Sequence, residues 1–160
     1  MKTVKKRSQK QEKSVAKDFN ARVTVASGAL WGMKADVRSD KFLIECKTTE
    51  KDYYSLKATV WEKIEQEAIR DHMRIPLMVI DLEDRDRVVV FKPQDFNFET
   101  ITSAVKPIAR SVRVSAKDLG FDEMGNYIHS IVVHIWGTKD NLLCFMLQKD
   151  FEESFEEELK

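Results

Sequence analysis

Proline and glycine are scarce in this chain, with three and five copies in 160 residues. So few breakers leave room for long regular elements and exclude collagen-like or low-complexity architectures. Cysteine is rarer still. Cys46 and Cys144 stand far apart, with neither the CxxC spacing of a zinc site nor the density of a secreted disulfide scaffold. Both are expected as buried apolar thiols. No uninterrupted apolar run approaches the roughly 18 residues that cross a bilayer, and the basic start leads into no signal-type apolar segment. The expected setting is therefore cytoplasmic, without a membrane partner. Net charge is also missing, since 27 Lys and Arg balance 27 Asp and Glu. That balance argues against a protein that coats nucleic acid indiscriminately. It hides an asymmetry, however: residues 1–80 hold 17 basic against 11 acidic side chains, and residues 81–160 hold 10 against 16. A basic half can supply phosphate contacts.

What is present is a chain of 42% hydrophobic and 34% charged residues, long enough for one ordinary domain with its own core. Val15, Ala16 and Phe19 predict a helix over residues 11–19. Residues 21–26 alternate as a strand, and residues 27–32, with Gly28 and Gly32, form a loop. Residues 34–38 and 41–48 read as two strands joined by the polar turn Ser39-Asp40, a hairpin. Residues 54–73 carry Leu56, Val60, Trp61, Ile64 and Ala68 at three- and four-residue spacing and predict the longest amphipathic helix. The nearly continuous apolar run 77–82 suits a strand buried on both faces, and residues 87–91 follow across a charged turn. Residues 1–92 thus read α-β-β-β-α-β-β, an α/β pattern with a helical crossover. Beyond them, residues 96–105 are expected as a helix and 111–115, 128–136 and 141–147 as strands, the last two forming a hairpin. Phe151, Phe155 and Leu159 recur every four residues and mark a short terminal helix whose stripe docks on the domain or meets a second copy.

The chemistry concentrates in residues 33–49. Phe42, Ile44 and Cys46 fall on one face of a strand, and Leu43, Glu45 and Lys47 on the other. A divalent ion such as Mg²⁺ takes one or two carboxylates and keeps waters and substrate phosphate as its remaining ligands. Asp36 and Glu45 on neighbouring hairpin strands can supply those carboxylates, and the Cys46 carbonyl is a further oxygen. Lys47, on the face of Glu45, is placed to orient a water or to stabilise phosphate charge. The same residues would also serve as solvated cross-strand pairs on an open sheet face. His72, His129 and His134 are scattered without ligand spacing and are assigned structural or surface roles. Trp31 suits stacking on a base or packing on the sheet.

The order Glu12, Ser27, Asp36, then Glu45-Cys46-Lys47 resembles the PD-(D/E)XK nuclease superfamily, and most closely the archaeal-type Holliday junction resolvases and their phage relatives. Residues 45–52, the long helix after them and the strand near 75–82 extend that similarity, which covers about residues 8–95. Ala35 stands where the superfamily's name has proline, and residues 96–160 have no counterpart in it. The resemblance implies a restriction-endonuclease-like mixed central sheet flanked by helices. Residues 1–95 would be its core and residues 96–160 a β-rich extension packed on the same domain. It implies Glu12, Asp36 and Glu45 at an Mg²⁺ ion, with Mn²⁺ a substitute, Lys47 as the catalytic lysine and Ser27 handling substrate. Lys5, Lys6, Arg7, Lys10, Lys13, Lys34, Lys51 and Lys57 are the expected phosphate contacts. The implied activity is paired nicking of branched double-stranded DNA by a homodimer in recombination and repair. A nuclease for flaps, ends or duplex DNA, and a non-cleaving DNA-binding module, are the alternatives.

Overall fold

Straight-chain Lys, Arg, Gln and Glu, with no glycine or proline, favour a helix from the first residues onward, and α1 spans Lys2–Asp18. The computed structural model describes residues 2–24, 36–83, 86–96 and 104–160. The helix is longer than the predicted 11–19 because its lysine-rich start, which lacks an apolar period, is helical as well. Asn20 ends it in the left-handed conformation at φ 50°. There the amide of Asn20 donates to the Lys17 carbonyl and that of Ala21 to Ala16, the Schellman arrangement that asparagine tolerates.

After α1 come β1 (Arg22–Val23), β2 (Val37–Arg38), β3 (Phe42–Thr48), β4 (Tyr53–Lys57), α2 (Ala58–Arg70), β5 (Ile75–Asp81) and β6 (Arg87–Phe91). Then follow β7 (Ala104–Ala109), β8 (Ser111–Ser115), β9 (Gly120–Phe121), β10 (Tyr127–Ile128), β11 (Ile131–Trp136), β12 (Asp140–Leu147) and α3 (Gln148–Ser154). Among the described residues one eight-stranded mixed sheet runs in the order β1-β2-β3-β5-β6-β12-β11-β7. β2 and β3 are antiparallel, whereas β3 and β5 are parallel and joined through α2. This is an α/β fold, as expected. β12 pairs directly with β6, so the C-terminal strands extend the same sheet.

The sheet's two faces carry separate cores. On one, Val15, Ala16 and Phe19 of α1 and Phe151 and Phe155 meet Phe42, Ile44, Leu77, Val79, Val89 and Phe91. On the other, Trp61 and Ile64 of α2 and Leu56 and Val114 meet Met78, Ile80, Val88 and Val90. The alternation along β5 and β6 explains why both strands read as unbroken apolar runs.

Three expected elements differ. The predicted helix 54–73 begins as strand β4, because Tyr54 and Leu56 alternate inward and find a partner in β8. Helix 96–105 is replaced by a single 3-10 turn, Pro93–Phe96, and by strand β7, with the residues between them outside those described. Strand 128–136 is divided: Tyr127–Ile128 pairs with Gly120–Phe121 in a separate hairpin whose turn uses Gly125 at φ 83°. The terminal helix does form, but its stripe is occupied. Phe151 is fully buried and Phe155 nearly so, which removes the stripe as a dimer surface.

Phe151 touches the rings of Phe19, Phe91, Phe96 and Phe155 at centroid distances of 4.9–5.8 Å. Phe151→Ala should therefore cost about 3–5 kcal/mol of folding stability, measured as a fall in the urea midpoint. A loss under about 1 kcal/mol would mean that α3 contributes little to this core.

Candidate active site

The hairpin ladder pairs Val37 with Ile44 and Arg38 with Leu43. One step further along that register, Asp36 stands opposite Glu45, and there regular pairing stops. Instead of a strand carbonyl, the Asp36 carboxylate accepts the Cys46 amide at 2.9 Å. The Asp36 carbonyl accepts the Thr24 amide at 2.9 Å, which ties the hairpin to β1. The end of β3 therefore has β5 on one side and an aspartate side chain on the other.

Alternation places the side chains of β3 as expected. Phe42 and Ile44 enter the α1-side core with Cys46 at its margin, whereas Leu43 packs on Ala68 of α2. Glu45 and Lys47 share the face of Leu43, and their charged ends lie 3.2 Å apart. From the opposite face, α1 brings Glu12 to the same region. Its position is set by Gln11, 2% exposed, which donates to the carbonyls of Lys47 (2.9 Å) and Val79 (3.2 Å) on adjacent strands. One turn earlier Arg7 donates to the carbonyls of Thr49 (3.3 Å) and Leu82 (3.4 Å).

Glu12, Glu45 and Cys46 all feel the charge of Asp36. Burial and then the neighbouring Asp36 raise the Glu12 carboxyl above its ordinary value. Burial, then Asp36, push Glu45 up to about 7 against the opposing pull of Lys47, and Glu67 of α2 adds to the rise. Burial and four carboxylates, those of Asp36, Glu12, Glu45 and Asp81, push the Cys46 thiol far up. In the metal-free protein that thiol holds its proton at neutral pH. Burial works against the Lys47 ammonium, but the charge and hydrogen bond of Glu45, with Tyr54 and Asp36, outweigh it and raise its pKa. Two glutamates raised by the charge of the same aspartate mark a place short of positive charge.

Among the described residues no three His, Cys, Asp or Glu side chains form a ready-made ligand group. Mg²⁺ and Mn²⁺ need none, because one or two carboxylates with waters and a phosphate suffice. Asp36 and Glu45 fit that hard, oxygen-only requirement. The buried Oε1 of Gln11, without a hydrogen-bond partner among the described residues, adds an unsatisfied oxygen next to the Lys47 backbone.

No family model matches this chain. No curated protein matches it either. The geometry therefore carries the functional argument.

Of the residues singled out from sequence, Asp36, Glu45, Lys47, Glu12 and the Cys46 backbone come together. Ser27, Trp31 and Lys34 lie outside the described residues. Lys5, Lys6, Lys10 and Lys13 are exposed on α1, and Lys51 and Lys57 at the two ends of β4. Arg7 departs from expectation: its guanidinium satisfies two strand-end carbonyls and ties α1 to the sheet. His72 and His129 are exposed, and His134 meets Asp140 at 3.2 Å on the surface. Sequence reasoning missed Tyr54, whose phenol is raised by burial and feels both Lys47 and Glu45. Counting it into a helix hid it; the inward alternation of Tyr54 and Leu56 was the available signal. Gln11 was missed as well, although its spacing to Val15 placed it on the buried face.

Because the folded pKa of Glu45 lies near 7 and that of a free glutamate near 4.5, the folded state holds the proton more tightly. The group's contribution to stability therefore falls as pH rises from about 4.5 to 7. In metal-free buffer at pH 8, Glu45→Gln should raise the melting temperature by roughly 2–4 °C, about 1 kcal/mol after allowing for solvent screening. The gain should vanish near pH 5. A variant less stable than the parent at pH 8 would show that the Lys47 pair outweighs the repulsion.

Proposed function

We propose that the protein is a divalent-metal-dependent endodeoxyribonuclease of restriction-endonuclease-like fold that resolves Holliday junctions as a homodimer. The observation that carries this reading is the convergence of Asp36, Glu45 and Lys47 at the end of β3, with Glu12 of α1 near enough to feel the charge of Asp36. The order α1-β1-β2-β3-β4-α2-β5, with β2 and β3 antiparallel, β5 parallel to β3 and β4 outside that sheet, also suits the nuclease core that the sequence resembles. Two sites related by a twofold axis would allow paired cuts in opposing strands.

Asp36 and Glu45 are the residues that would hold Mg²⁺ or Mn²⁺, with Glu12 and the Cys46 carbonyl as further oxygens. Such an ion supplies a Lewis acid for the scissile phosphate and an acidified water. Lys47 has its pKa raised, so it is an ammonium at neutral pH and acts on phosphate charge rather than as a base. Tyr54 keeps its proton and offers a hydrogen-bond donor on the same side of the sheet. Gln11 and Arg7 fix the height of Glu12 over β3. No helix among the described residues is long and apolar enough to cross a membrane.

Incubation with Mg²⁺ and a four-way junction, a flap and a linear duplex, side by side, tests activity and substrate together. The junction should be cut fastest, with no cutting in EDTA. Asp36→Ala and Glu45→Ala should lose at least about 10³-fold in rate while still binding the junction, and Lys47→Ala about 10²–10³-fold. Mg²⁺-dependent cutting by purified Asp36→Ala protein would overturn the assignment. Preference for the flap or duplex would keep the chemistry and move the substrate.

A further inference from the structure

β4 and β8 form a two-stranded antiparallel ribbon outside the main sheet. Its register alternates cleanly. Tyr54 opposite Val114 and Leu56 opposite Val112 face the core. Tyr53 opposite Ser115, Ser55 opposite Arg113 and Lys57 opposite Ser111 form the outer face. That outer face holds no carboxylate, and Lys51, Arg110 and Lys117 lie just beyond the strand ends on the exposed surface. The guanidinium of Arg113 sits 4.3 Å from the centre of the Tyr53 ring, and the Lys51 ammonium 5.4 Å from it while donating to the phenol oxygen. Asp52, at the start of the ribbon, is engaged by Lys117 at 2.5 Å and also feels the charge of Arg113.

The ribbon is also tied to the end of β3 that bears Lys47. Only residues 49–52 separate β3 from β4, and they are held at each step. The Thr49 amide donates to Asp81, the Lys51 carbonyl accepts from Glu83, and the Ser115 hydroxyl donates to the Asp52 carbonyl. At the far end the Ala58 amide donates to the Arg110 carbonyl. Five chain steps, at most about 18 Å, join Thr48 to Tyr53, so the near end of the ribbon stands within one duplex turn, about 34 Å, of the end of β3.

We propose that the outer face of the β4–β8 ribbon is a DNA-backbone clamp, in which Lys57 and Arg113 contact phosphates of the duplex arm beside the cleaved position. This rests on the nuclease reading and gives it a second contact surface. Two features favour nucleic acid over a protein partner: the outer face is cationic and hydroxyl-bearing, and its single ring, Tyr53, is covered by the Arg113 guanidinium, which the strand ladder holds in place. Phosphates are met by such groups without base readout, which suits a substrate distinguished by shape.

The test is binding of the full chain to a labelled four-way junction in EDTA, measured by fluorescence anisotropy across a salt series. Replacing both cations, Lys57→Gln with Arg113→Gln, should weaken binding about tenfold or more and reduce the slope of log K against log salt by about 2. Ser55→Glu, which adds a carboxylate to the centre of the face and removes no packing, should weaken binding in the same direction. Unchanged affinity and slope in both folded variants would overturn the clamp, and so would preferential loss of affinity for a single base sequence. The nuclease reading is tested separately by cutting: a parent protein that cuts while its ribbon variants bind normally refutes the clamp alone. A parent that neither binds nor cuts any DNA refutes both.

Discussion

The site depends on one hydrogen bond, the Cys46 amide to the Asp36 carboxylate. A β-strand needs a partner for each backbone amide along a buried edge, and β3 loses β2 as its partner after Ile44. Among the described residues, the Asp36 side chain takes the place of a strand partner there. The same bond fixes where the Asp36 carboxylate stands, so the position of the acid is set by backbone geometry. Removing the Asp36 side chain thus leaves a partly buried amide unsatisfied as well as a charge missing, and its effect on stability has to be separated from its effect on chemistry.

Around that bond the protein accumulates negative charge at a place that burial makes unfavourable. Glu12 and Glu45 arrive from different elements, each raised by burial and each facing Asp36. Lys47 offsets part of this through its pair with Glu45. Two buried polar links hold the arrangement against its own repulsion. Gln11 spans the backbones of β3 and β5, and Arg7 spans the ends of the segments that follow them. Under the metal reading proposed above, a divalent cation between Asp36 and Glu45 would relieve this repulsion further than Lys47, which feels both carboxylates, already does.

Much of this could be read from residue order. The face assignment of β3 follows from alternation alone, and the parallel β3–β5 pair follows from a helix lying between two apolar runs. The errors have common causes. Tyr54 and Leu56 fit both a helical and a strand spacing, and only β8, more than fifty residues later, decides between them. Arg7 reads as part of a basic tail because the carbonyls it satisfies belong to Thr49 and Leu82, which no local pattern brings near. Cys46 is expected to be a buried thiol and is only half-buried, since it lies where the core gives way to the site.

The charge count by halves misled in a more instructive way. Residues 81–160 carry net negative charge, so basic surface was sought in the first half. Arg110 and Arg113 nevertheless stand beside Lys51 and Lys57, because β8 returns across the chain to pair with β4. Much of the acidic charge of this half is placed elsewhere: the terminal glutamates follow α3 on the α1 side of the sheet, with the Phe151 and Phe155 core. Folding thus separates charges that sequence averages together. The field that meets a polyanion depends on which face each charge reaches, and the outer face of the ribbon carries Lys57 and Arg113 with no carboxylate although the chain has zero net charge.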